Sequence, residues 1–214
     1  MCDYDSDYNS RKVVITNSDR ALSRLEDTDI GDHSMIVYPD IGAFRTLYSA
    51  FARKRLLANE IVVLLPFYEP PDSVRLCLSD LAGVNSAKYE DNGSLVITDA
   101  MKMHFGNNVL FTSFLGMLAK HAKQSGKSGV SLFADMGSFF YVYFRHGKLA
   151  QLVRFEKSLP TRFDTDLRGY CCYHRLNYDM LTNNQKQVLR RHHSKQFMVK
   201  PTAATNATSV SAAT

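Results

Sequence analysis

Five short apolar runs constrain this chain more than any other feature: SMIVY (34–38), EIVVLLP (60–66), SLVIT (94–98), GVSLFAD (129–135) and GYCCY (169–173). None alternates strictly between apolar and polar residues, so each reads as a strand buried on both faces, the habit of parallel sheets. Helical stretches separate the runs. Residues 41–57 place Phe44, Leu47, Tyr48, Phe51 and Leu56 on one face, and further helices are expected over 74–81, 109–123 and 181–193. KVVIT (12–16) and residues 196–199 add two shorter strands. A short helix is expected over 19–27, and 136–144 with 149–158 reads as two helices, or one broken at His146-Gly147. Strands alternating with helices make βαβ units. With right-handed crossovers, the expected fold is α/β, a three-layer sandwich with a mostly parallel central sheet.

At 214 residues and 45% hydrophobic, the chain can bury one full core, and no Pro/Gly/Ser-rich linker divides it. A single domain is expected over 12–200, between a disordered N-terminus (1–11) and a low-complexity, disordered tail (201–214). No apolar run approaches the roughly 18 residues of a membrane span. The opening MCDYDSDYNS lacks the basic and apolar regions of a secretory leader, so a cytoplasmic location is expected. The cysteines, Cys2, Cys77, Cys171 and Cys172, make no C-x-x-C pair, and the adjacent two read as small core packers on a strand. The seven histidines are scattered, so neither a metal nor a cofactor is expected.

An open parallel sheet binds ligands at the carboxyl ends of its strands. Those ends carry Tyr38, Asp40, Phe67, Tyr68, Glu69, Asp99, Asp135, Met136, Tyr173, His174 and Arg175. Asp40 and Asp99 precede helices and read as N-caps, and Glu69 in its Pro-Pro turn reads as solvated. Asp135 directly follows a buried run, so it needs a polar partner or a place in a pocket wall. The phosphate loop that such an acid accompanies in nucleotide hydrolases is missing. Gly126-Lys127-Ser128 supplies only the last three positions of G-x-x-x-x-G-K-[ST], His121 holds the place of the first glycine, and the segment runs from helix to strand. It reads as a helix C-terminal turn. G-x-S-x-G, H-E-x-x-H and G-x-G-x-x-G are also absent.

These absences favour binding over turnover, and the chain is read as no enzyme. The leading expectation is a small ligand at a rim formed by His33, Tyr38, Asp135, Met136, Tyr173 and His174. A less favoured reading makes Asp135 and His174 an acid–base pair. Charge offers another alternative. The net charge of +5 is uneven, with seven acids against four bases in residues 1–30 and no acid between Gln185 and Lys200. Lys186, Arg190, Arg191 and Lys195 in that last segment offer a contact for nucleic acid or an acidic partner. The plainer reading is a helix end whose cations complement the helix dipole, and the run lacks the interleaved aromatics of single-strand binders.

Several segments together resemble one family. HSMIVY (33–38) looks like its opening strand, SLVITDAMKMHF (94–105) its strand, Asp and following helix, and GVSLFADMGSFF (129–140) its strand ending on an acid and then Met. GYCCYHRLNYDML (169–181), with His192 or His193 downstream, is similar to its closing strand and helix. The family is the MEDS domain, the methanogen/methylotroph sensory domain. Asp135 stands where the family has Glu, and His174 where it often has Asp. The resemblance spans about residues 30 to 200. It implies a RecA-like sandwich without a phosphate loop, serving as a ligand-responsive module in signal transduction or transcriptional regulation, with a protein partner to read its state.

Overall fold

The structure is a computed structural model and describes residues 13–16, 23, 25, 28–106 and 111–201. Residues 1–11, and all but Pro201 of the tail expected to be disordered over 201–214, lie outside these residues, as does most of the helix expected over 19–27. Among the described residues, seven strands form one sheet: β1 (Val13–Thr16), β2 (His33–Tyr38), β3 (Ile61–Leu65), β4 (Leu95–Ile97), β5 (Val130–Asp135), β6 (Leu167–His174) and β7 (Lys195–Val199). Their order is β1-β7-β2-β6-β5-β3-β4, and every neighbouring pair is parallel. Each apolar run of the sequence supplies one of these strands, with a flanking residue or two left outside at β3, β4 and β5.

The helices are α1 (Ile41–Leu57), α2 (Pro71–Ala82), α3 (Ser86–Asp91), α4 (Ala100–Phe105), α5 (Phe111–Gln124), α6 (Gly137–Tyr143), α7 (Ala150–Ser158), α8 (Arg175–Asp179) and α9 (Asn183–His192). Connections from β1 through β4 step one way across the sheet, and those from β4 to β7 step back. A constant crossover hand then puts the two sets of helices on opposite faces. The core divides accordingly. Ile36, Tyr38, Val62, Leu64 and Phe133 pack under α1 and α2, against Phe44, Leu47, Phe51, Val74 and Leu78. Their strand neighbours Met35, Val37 and Cys171 face Phe139, Leu152 and Leu189, while Val63, Leu65, Leu132 and Ala134 face Ala100, Leu115 and Ala122. Successive residues thus bury on alternate faces, which is why the strands contain so few polar residues. Each large side chain so buried stabilises the fold by roughly 1.5–3 kcal/mol.

Local signals set the helix ends. Asp40 accepts from the Ala43 N–H at 2.8 Å and Asp99 from the Lys102 N–H at 2.9 Å, so both are N-caps, as their positions indicate. Pro71 opens α2, where its missing N–H costs nothing, and Gly83 closes it in the left-handed region at φ 61°. Thr182 and Gln185 form a reciprocal capping box at the start of α9. Gly126-Lys127-Ser128 is indeed the turn after α5. The Lys127 N–H bonds the Ala122 carbonyl, and its ammonium reaches Ser94 Oγ at 2.7 Å. At the amino end of the sheet, buried Glu60 receives Arg168 at 3.0 Å, Arg55 at 3.6 Å and the Ser131 hydroxyl.

Candidate functional site

β3 and β5 are neighbours, yet β3 leads to α2 on one face and β5 to α6 on the other. A cleft opens at such a switch point. Here it is a pocket of about 280 Å³ walled by Phe67 and Tyr68 after β3, by Gly137, Phe140, Tyr141 and Phe144 from α6 and its end, and by Asn177 and Met180. Tyr141 and Phe144 are exposed, and so is Tyr68 to a lesser degree. The polar groups in this wall are the Tyr68 and Tyr141 hydroxyls and the Asn177 amide, with Tyr68 and Asn177 hydrogen-bonded to each other. Gly137 makes the shape possible. A Cβ there would lie 2.5 Å from Phe67 and 2.9 Å from the Tyr68 ring.

Asp135 sits beneath this pocket and does not enter its wall. It is fully buried, with Oδ2 3.1 Å from the Tyr38 hydroxyl and Oδ1 accepting from the Gly137 N–H at 2.8 Å. Burial pushes its carboxyl up to about 7, against the pull of those two hydrogen bonds. Tyr38 contacts both Asp135 and His174, the latter by an edge-on ring contact at 5.3 Å. His174 itself caps α8 by accepting from the Leu176 N–H, and burial lowers its pKa. Asp135 is therefore tied to the backbone and Tyr38, and His174 to a helix start. Glu69, expected in solvent, is buried instead, receiving Arg45 and Ser73 at 3.0 Å each.

The six residues expected to share a rim fall into different places. Tyr38, Asp135 and His174 stand together at the carboxyl ends. Met136 is fully buried in the core under α6 and α7. His33 begins β2, pairing with Gly169, whereas Tyr38 ends it opposite His174. His33 is thus at the far end of its strand and cannot share a ligand with the rim. Tyr173 turns to the other face, where its hydroxyl donates to Glu156 of α7.

His33 and Tyr173 instead belong to a second, buried group with Glu156, Cys171 and His193. His33 Nε2 lies 3.3 Å from Cys171 Sγ and 3.7 Å from Glu156 Oε2. Glu156 Oε2 is also 3.5 Å from Cys171 Sγ and 3.4 Å from His193 Nε2. Burial, then His193, lowers His33 to about 3, so its ring is neutral. Burial pushes the Glu156 carboxyl up, but His193, His33 and Tyr173 more than offset this and bring it to about 2. Glu156 carries no sequence signal beyond being a lone acid on an amphipathic helix.

No family model matches the chain, and no curated protein matches it either.

Among the described residues, no helix is long and apolar enough to cross a membrane. The basic segment is largely engaged within the protein. Lys186 reaches the Asp179 carbonyl and lies over the Tyr178 ring, Arg190 donates to the Tyr178 hydroxyl, and Lys195 pairs with Asp32 at 2.7 Å. Arg191 is exposed at the end of α9.

Proposed function

We propose that this chain is a non-catalytic, ligand-responsive module of the sensory kind, with the switch-point pocket as its binding site. The observation that carries this reading is the pocket's wall. Aromatic faces and a thioether surround it, two phenols and an amide supply direction, and among the described residues no carboxylate or imidazole lines it. Such a wall suits a small, flat or elongated apolar molecule bearing one hydrogen-bonding group. The wall's titratable side chains are two phenols, and burial holds the Tyr68 hydroxyl at about 12, far above the range of a general base at neutral pH. The MEDS resemblance points the same way, since it implies a RecA-like sensor without a phosphate loop, of which the α/β sandwich with its parallel sheet is the general part. The β3–α2 turn, α6 and α8 all contribute to the wall, so an occupant that reorders them would present an altered surface to a protein partner.

A thermal-shift screen of small aromatic and aliphatic alcohols, amines and amides, with nucleotides included, tests the reading. Binders from the apolar set should raise the melting temperature, and Tyr141→Ala or Met180→Ala should abolish the rise. A screen in which only nucleotides stabilise the protein, or in which those variants respond like the parent, refutes it.

A further inference from the structure

We infer that His33, Glu156, Cys171 and His193 form a closed four-ligand site for a divalent transition-metal ion of the zinc class. All four are buried, and their ligand atoms lie within 4.8 Å of one another. A tetrahedral ion with bonds of roughly 2.0–2.3 Å to nitrogen, oxygen and sulfur needs ligand–ligand edges of roughly 3.3–3.8 Å. Four of the six separations, at 3.3, 3.4, 3.5 and 3.7 Å, fall on that scale, and the two remaining pairs, His193 with His33 and with Cys171, lie within 4.8 Å.

The hydrogen bonds behind the cluster orient it. His33 Nδ1 faces the Pro160 carbonyl at 2.9 Å, and His193 Nδ1 faces the Leu189 carbonyl at 2.7 Å. A carbonyl only accepts, so each Nδ1 carries a proton and each ring turns its Nε2, the atom left to offer to a metal, towards Glu156. Tyr173 donates to the other carboxylate oxygen. This is how metal-binding imidazoles and carboxylates are held in place. Among the described residues, buried His193 Nε2 has no hydrogen-bond partner, and Glu156 Oε2 stands 3.4 Å from it. A bridging proton would engage two of these atoms, whereas a metal ion engages all four.

The charges also balance. On binding, the Cys171 thiol gives its proton to solvent, and the thiolate and the Glu156 carboxylate together neutralise a divalent cation. Two neutral imidazoles complete a net-zero centre, which a site sealed from water requires. With four protein ligands the site is structural. It fastens β2 and β6 to α7 and to His193, which closes α9 before β7.

The test is metal content of the full chain, purified without chelator from cells grown with added zinc, followed by cobalt substitution. The expected result is about one zinc per chain and, with cobalt, the visible bands of a tetrahedral ion together with a near-ultraviolet thiolate-to-metal band. Cys171→Ser should lose the thiolate band while keeping the fold by circular dichroism. His193→Gln should weaken metal retention more than tenfold, and His121→Ala, on an exposed helix face, should change nothing. A folded chain with no zinc above background, whose cobalt spectrum is that of the hydrated ion, overturns the assignment. So does metal that persists undiminished in Cys171→Ser and His193→Gln.

Discussion

Asp135 shows how much one buried acid decides. Its folded pKa, about 7, lies above the ordinary 3.8 because burial disfavours the anion. Between those values the folded state keeps a proton that the unfolded chain has lost, so stability attributable to this group falls as pH rises from about 4 to about 7. The loss is on the order of 4 kcal/mol. Asparagine is nearly isosteric and can keep both hydrogen bonds, through its oxygen to Gly137 and its amide to Tyr38. Denaturant titrations of the parent and Asp135→Asn across this range should therefore diverge, with only the parent losing this contribution. Parallel profiles, or a parent that gains stability relative to the variant, would contradict the assignment. Glu60 is a different case, a buried acid paired with Arg55 and Arg168. Glu60→Ala leaves two buried guanidinium groups without their carboxylate and should cost about 3–5 kcal/mol in equilibrium unfolding.

At the scale of elements, α1 depends on Asp40 for its first turn, and Asp40→Ala should cost about 1 kcal/mol of stability by denaturant titration. Gly137 holds a different kind of position. The Cβ of Gly137→Ala would press on Phe67 and Tyr68, displacing the two rings that wall the pocket. Stability should fall by roughly 1–3 kcal/mol and ligand binding with it. The strands were legible because a parallel strand buried on two faces has to be an apolar run, and the caps because Asp40 and Asp99 precede helical periodicity. Short helices such as α3 and α8 were not separately legible, being too brief to show a period. The candidate sites were legible only at strand ends. Asp135 and Tyr38 could be placed near one rim, yet the hydrogen bond that ties them spans 97 residues and crosses β6. The Glu156 cluster escaped altogether, since its four side chains come from four separate segments and have no local spacing to read.

For the whole molecule, sheet order does most to locate function. Apolar runs reveal strands but not which strands are neighbours, so the switch point between β3 and β5 follows from topology alone. That topology places an aromatic pocket above a buried acid, with the acid serving the fold beneath it. It also sets His33 at the opposite end of the strand from Tyr38, separating a binding rim from a buried polar centre. The most direct measurement is a fragment screen followed by backbone amide chemical shifts. The account expects binders whose perturbations concentrate at Tyr68, Gly137, Tyr141 and Asn177 and vanish in Tyr141→Ala. Perturbations mapping to the α9 segment instead, or no binder among apolar fragments, would contradict it.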